Sequence, residues 1–247
     1  MAGSGLRRWR SARALAVAGL MTLAVTACSP PGGQDPAASP GGAGSDPAAT
    51  AGQPVDPTAG SATTTCSYRA SGEPAKPVDP PSAQALGDGS TSVTLSFAAG
   101  DVTISMDRAA APCTVHNFES LAGQGFFTDT SCHRLADRGL FMLQCGDPTG
   151  TGMGGPGYRF ADEVDPSAVY PAGTVAMANA GPDTNGSQFF LVYQDSQLPP
   201  SYTVFGQMDQ GSTAVVGRIA AEGQDGSNAD GTGRPNNPAA ITAVKLG

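Results

Sequence analysis

From Thr91 onward the chain alternates. Val93, Leu95 and Phe97 stand between polar residues, and so do Val102, Ile104 and Met106. A period of two is that of a half-buried strand, and the Ala98-Ala99-Gly100 link between the two runs marks a hairpin. Pro112 to Leu121 has a different rhythm. Val115, Phe118 and Leu121 recur at helical spacing, a proline sits at the start and Gly123 follows the end, so the pattern predicts a helix. Further strands are predicted over 131–135, 140–145, 174–179, 187–193, 203–208 and 240–246. A second helix fits Thr213 to Glu222, with Val215, Val216, Ile219 and Ala220 apolar. Eight strands and two helices within residues 91–247 predict a mainly β domain, a closed eight-stranded antiparallel barrel capped by the helices.

Upstream of Thr91 the pattern fails. Arg7, Arg8, Arg10 and Arg13 precede an apolar run, Ala14 to Val25, that is short for a membrane span. Val25-Thr26-Ala27-Cys28 then resembles a bacterial lipoprotein cleavage box. Residues 1–27 therefore read as a signal peptide. Cys28 would be lipidated through a thioether and acylated on its new amine, placing the protein on the extracytoplasmic face of the cell membrane. Between Ser29 and Gly60 Val55 is the only large apolar residue, too little to offset the entropy of ordering, and residues 28–62 read as a disordered tether. Residues 63–90 read as an extended arm. Cys66, Tyr68 and Leu86 can touch the domain, while Pro74, Pro77, Pro80 and Pro81 work against regular structure.

Composition removes several classes. The 34 Gly and 21 Pro follow no triplet period, so the chain is no collagen, and 14% charged residues do not build a coiled coil. A net charge of −8 has the wrong sign for nucleic acid, and none is expected as a partner. Loss of residues 1–27 removes four arginines and no acid, which takes the charge to −12. Such a chain is repelled by anionic lipid heads, so the acyl chains at Cys28 would do the anchoring.

Four segments carry a more specific signal: Phe141-Met142-Leu143-Gln144-Cys145-Gly146-Asp147, Met177-Ala178-Asn179-Ala180-Gly181-Pro182, Thr184-Asn185-Gly186-Ser187-Gln188-Phe189-Phe190 and Tyr202-Thr203-Val204-Phe205-Gly206. With His133-Arg134 upstream, they resemble the cyclophilin family of peptidyl-prolyl cis-trans isomerases, from about Thr91 to Leu246. The resemblance implies that Arg134 is the catalytic arginine. It places Phe141, Met142 and Gln144 on the proline pocket and its polar wall. Ala178, Asn179 and Ala180 fall on the strand that pairs with the substrate backbone. Gln188, Phe190 and Leu198 fall on the pocket floor and walls, and Tyr202 stands where the family has a pocket histidine. The loop Leu135 to Leu140 is about two residues longer than usual, and Gln197 replaces a tryptophan that grips cyclosporin. The implied partners are proline-containing, partly unfolded polypeptides, met by a monomer that needs no cofactor.

The residue types suit that chemistry. An X–Pro amide isomerises over a barrier of about 18–20 kcal/mol because of its partial double bond. In the twisted transition state the prolyl nitrogen regains a lone pair, and a guanidinium is a rigid, always-charged donor for it. No nucleophile, base or metal is required. With two His and no Cys-x-x-Cys, no metal site is expected. Gly150-Thr151-Gly152-Met153-Gly154-Gly155 matches a dinucleotide motif in letters only, since Pro156-Gly157 blocks the helix that must follow. Four cysteines remain after lipidation. Cys66, Cys113, Cys132 and Cys145 leave three connectivities, or free thiols, open; the preferred one pairs Cys132 with Cys145 across a hairpin and Cys66 with Cys113. Two other functions fit the same residues: a non-catalytic proline-peptide binding module, and a scaffold lipoprotein.

Overall fold

The computed structural model describes residues 61–247. The signal segment, Cys28 and the tether up to residue 60 lie outside the described residues. The arm contributes three short strands, β1 (Thr63–Thr65), β2 (Arg69–Ala70) and β3 (Gln84–Leu86). The hairpin follows as β4 (Ser90–Phe97) and β5 (Gly100–Asp107), then α1 (Pro112–Gly123), β6 (Thr130–Ser131), β7 (Arg134–Arg138), β8 (Leu140–Cys145) and β9 (Tyr158–Arg159). The chain continues through β10 (Thr174–Met177), β11 (Phe189–Val192), β12 (Val204–Met208), α2 (Gln210–Ala221), β13 (Ala240–Ile241) and β14 (Ala243–Leu246).

Both helices form where the apolar spacing puts them, and both have caps from outside the pattern. The carboxylate of Glu163 accepts from the backbone N–H groups of Cys113 (2.9 Å) and Thr114 (2.8 Å) at the start of α1. It thereby satisfies donors that a helix N-terminus leaves orphaned. At α2 the side chain of Asp209 accepts from Ser212 N–H at 2.6 Å. Val115, Phe118 and Leu121 of α1 and Val215, Val216 and Ile219 of α2 are buried. They pack with the inward residues of the sheet. Phe118 is the hub, its ring 4.8 Å from Phe127, 5.1 Å from Phe189 and 5.3 Å from Phe205.

The expected closed barrel is corrected to an open, curled half-barrel. Eight strands form one sheet in the order β14-β4-β5-β12-β10-β11-β8-β7, and its outer strands β14 and β7 do not pair with each other. Two tertiary contacts hold the seam open. The free edge of β7 is occupied by a loop: Leu135 N–H donates to Gly233 O at 2.7 Å and Gly233 N–H donates back at 3.2 Å. On the other side, the run predicted over 240–246 breaks at Thr242, and β13 turns away to pair with β6. The run predicted over 131–135 breaks in the same way. Cys132 N–H bonds Ala239 O, whereas His133 N–H bonds Gln144 O, so the chain changes partner between two adjacent residues.

Candidate active site

Alternation along these strands sorts side chains onto two faces. Leu135, Leu143, Val175, Phe189 and Leu191 enter the main core. Their neighbours Ala136, Met142, Ala176, Phe190 and Val192 form a second apolar cluster on the opposite face, joined by Tyr170. Half-buried Ala178, Leu198 and Tyr202 pack against it. The Phe190 and Tyr202 rings meet edge to face at 5.5 Å. Tyr170 fixes the Tyr202 backbone from below, its hydroxyl accepting from Tyr202 N–H (3.1 Å) and donating to Tyr202 O (3.2 Å). No motif singles Tyr170 out; it acts through position alone. Phe141 stands outside this cluster, its ring 6.0 Å from Tyr193.

Arg134 lies opposite Gln144 in the β7–β8 register, two residues from Ala136 on one strand while Gln144 is two from Met142 on the other. All four side chains therefore share the face of the apolar cluster. The guanidinium donates to Gln144 Oε1 at 3.1 Å, to Thr232 Oγ1 at 2.9 Å and to Asp230 Oδ2 at 2.8 Å. The amides behind it are oriented in sequence. Gln188 Nε2 donates to the carbonyls of Gly152 (3.0 Å) and Gly154 (2.9 Å), which turns Oε1 toward Gln144. Gln144 Nε2 donates to that oxygen at 2.9 Å and so presents its own oxygen to Arg134.

The glycine loop at the back of this relay is organised by Asp147, which is fully buried. Its carboxylate accepts from the N–H groups of Thr149 (2.8 Å), Gly152 (2.7 Å) and Gly154 (3.1 Å) and from the Thr149 hydroxyl (2.7 Å). Burial opposes its ionisation, but these bonds outweigh burial and hold the carboxyl below the usual carboxylate range. Residue 154 must be glycine, because a Cβ there would run into that carboxylate. The phosphate-motif lookalike is thus a loop wrapped round an internal anion.

Ala178, Asn179 and Ala180 leave the end of β10. Ala178 N–H bonds Gln188 O at 2.9 Å, and Asn179 Nδ2 bonds Ser201 O at 2.9 Å. With Gln144, Gln188 and Met153 they line a groove of about 580 Å³. The groove's far wall is the arm, at Ser71, Gly72 and Glu73. The arm is held there by the β2–β9 pair and by Ser71 N–H on Gly157 O. Gln197 is exposed, beside half-buried Leu198. His133 is buried and its ring nitrogens have no hydrogen-bond partner among the described residues. Burial lowers its pKa from the ordinary histidine value.

Two disulfides frame the site. Cys132–Cys145 crosses between the partner-switching residue and the end of β8, with Cα atoms 4.0 Å apart. Cys66–Cys113 joins the arm to the first turn of α1. Asp230 and Thr232, which touch the arginine, carry no sequence signal of their own.

A mainly β half-barrel with an arginine fixed beside an apolar slot has known counterparts. The sequence profile described as cyclophilin type peptidyl-prolyl cis-trans isomerase/CLD matches residues 92–246. A probable peptidyl-prolyl cis-trans isomerase B of Mycobacterium leprae is 45% identical over 197 residues, covering 73% of this chain and 66% of that protein. Its namesake in Mycobacterium tuberculosis is 46% identical over 168 residues, covering 63% and 54%. The chain thus spans between about half and two thirds of these relatives' lengths. A Cryptosporidium parvum cyclophilin type peptidyl-prolyl cis-trans isomerase, solved in the presence of the dipeptide Ala-Pro, aligns with TM-score 0.55 and 30% identity over 63% of this chain and 98% of that one. The chain belongs to the cyclophilin-type peptidyl-prolyl cis-trans isomerase family.

Proposed function

We propose that this chain is a peptidyl-prolyl cis-trans isomerase (EC 5.2.1.8) acting as a monomer on proline-containing, partly unfolded secreted or envelope polypeptides. One observation carries the reading: the Arg134 guanidinium is fixed on the same sheet face as the Met142–Phe190 cluster with donors to spare. Arginine has five N–H groups. Three are committed to Gln144, Thr232 and Asp230, which leaves two.

The mechanism needs no proton transfer. The apolar slot of Met142, Phe190 and Leu198 takes the proline ring and strips water from it. Groove residues Ala178 to Ala180 align the segment before the proline. As the amide twists, its nitrogen turns pyramidal and a free Arg134 N–H donates to the emerging lone pair. That bond is absent in the planar ground state, so it lowers the barrier rather than merely tightening binding. Arg134→Ala in a protease-coupled isomerisation assay is expected to lose about a hundredfold in kcat/KM, or about 2.7 kcal/mol, with the fold intact. A variant that keeps half of wild-type activity would overturn the role of Arg134.

The basic n-region, short apolar run and Cys28 support a lipid anchor on the extracytoplasmic side of the cell membrane. Cys28→Ala should move the protein from the detergent phase to the aqueous phase in a partitioning experiment.

A further inference from the structure

The loop that occupies the edge of β7 also reaches the arginine. Asp230 Oδ2 forms an ion pair with Arg134 at 2.8 Å. The other carboxylate oxygen, Oδ1, accepts from the Thr232 hydroxyl at 2.6 Å and from Thr232 N–H at 3.0 Å. Thr232 is buried, and its hydroxyl oxygen accepts from Arg134 Nε (2.9 Å) and Asn228 Nδ2 (3.0 Å) while donating to Asp230. Carboxylate, hydroxyl and guanidinium thus close a ring of hydrogen bonds in which no member can rotate without breaking a bond.

The loop is itself pinned. Gly233 exchanges both backbone bonds with Leu135, the residue next to Arg134. Arg234 N–H bonds Asp225 Oδ1 at 2.9 Å, and Gln224 Nε2 reaches Gly231 O at 3.2 Å. Tied by these bonds, the segment is a second wall facing the Gln144–Gln188 relay. The guanidinium is gripped from both sides.

We propose that Asp230 and Thr232 are positioning residues for the isomerisation, holding the Arg134 guanidinium in the plane from which its free N–H groups reach the prolyl nitrogen. The assignment rests on the reading of Arg134 as the catalytic donor. A free arginine side chain samples many rotamers, and freezing them during the reaction would raise the barrier; here the loop has frozen them beforehand. The pair does not neutralise the donor. Asp230 is about half exposed, with side-chain exposure of 53%, so water screens the carboxylate while its geometry persists.

The test uses the full-length chain, with isomerisation kinetics and peptide affinity measured separately. Asp230→Ala should lower kcat about tenfold, with proline-peptide affinity and melting temperature close to wild type. Asp230→Asn, which keeps an acceptor, should recover part of that loss. Thr232→Val should lose activity like Asp230→Ala, and Thr232→Ser, which keeps the hydroxyl, should recover most of that loss, providing a second route if one variant folds poorly. The decisive comparison is in the Arg134→Ala background, where adding Asp230→Ala should cost nothing further. Full kcat in Asp230→Ala, or an equal loss in both backgrounds, overturns the proposal. If Arg134→Ala itself is fully active, the isomerase reading of that residue fails first, so the two failures are distinguishable.

Discussion

The two faces of the half-barrel are made by the same strands and differ in what happens to their side chains. On the inner face Phe189, Leu191, Leu143 and Leu135 are fully buried among α1, α2 and their neighbours. On the outer face Phe190, Met142 and Ala136 are nearly as buried, yet no helix covers them. They are covered by one another, by Tyr170 and by half-buried Leu198 and Tyr202. One residue of register separates a side chain that holds the domain together from one that, on the proposed function, is offered to a ligand.

The sharpest way to break this comparison is to exchange adjacent phenylalanines for alanine. Phe189→Ala should cost about 3–5 kcal/mol of stability, since its cavity opens among the rings of Phe118 and Phe127. Phe190→Ala should cost about 1 kcal/mol less, because the rim can settle or admit water, and should lose affinity for proline peptides. Urea denaturation and peptide titration read the two effects. Equal losses of stability would mean that the outer cluster is simply a second core.

Arg134→Ala comes next, at about 2.7 kcal/mol in the transition state for a hundredfold loss. It should leave the urea midpoint in place, because the side chain lies on the outer face and retains partial exposure of 29%. A comparable effect concerns the rim. Gln197 is exposed and brings no flat apolar surface beside Leu198. Cyclosporin inhibition should therefore be weak, and Gln197→Trp should strengthen it by some 30- to 150-fold, about 2–3 kcal/mol. No gain on introducing the tryptophan would place residue 197 outside the ligand site.

The smallest effect separates the faces by pH. Because burial lowers the pKa of His133, the unfolded chain takes up its proton more readily than the folded one. Its contribution to stability is full above the unfolded value of about 6.5 and is lost as the pH falls through the range below. Asp147, Arg134 and Arg234 are the charges that act on the ring. Melting temperature should decline from pH 7 toward pH 5, and His133→Gln should shallow that decline. Activity per folded molecule should stay flat between about pH 6 and 8, since the proposed mechanism uses no general acid or base.

Period-two and helical spacing make the strands and both helices legible, because side-chain burial drives them directly; the order of the strands in the sheet is not contained in that spacing. The seam was not legible. Residues 132–133 and 242 lie within unbroken strand-like runs, and only the competing partners β6, β13 and the 233 loop decide where pairing changes. The site divides similarly. Arg134, Gln144, Gln188 and Phe190 stand in motifs that can be read in one dimension. Asp230 and Thr232 sit in a polar loop without apolar period, and their meeting with Arg134 spans a sequence separation of 96 or more. Among the cysteines, three pairings or free thiols are open in the sequence, and the two disulfides, with Cα atoms 5.5 and 4.0 Å apart, are those of the preferred pairing.

The Cys66–Cys113 bridge has a further consequence. It closes residues 66–113 into a covalent ring containing most of the arm and the whole β4–β5 hairpin. A protease that cuts once inside the ring opens a loop but severs nothing. Whatever is attached ahead of Cys66 stays joined to α1, and through it to the rest of the domain. The groove wall at Ser71–Glu73 lies within the same ring, so such a cut would loosen one side of the groove proposed to hold peptides while every fragment is retained.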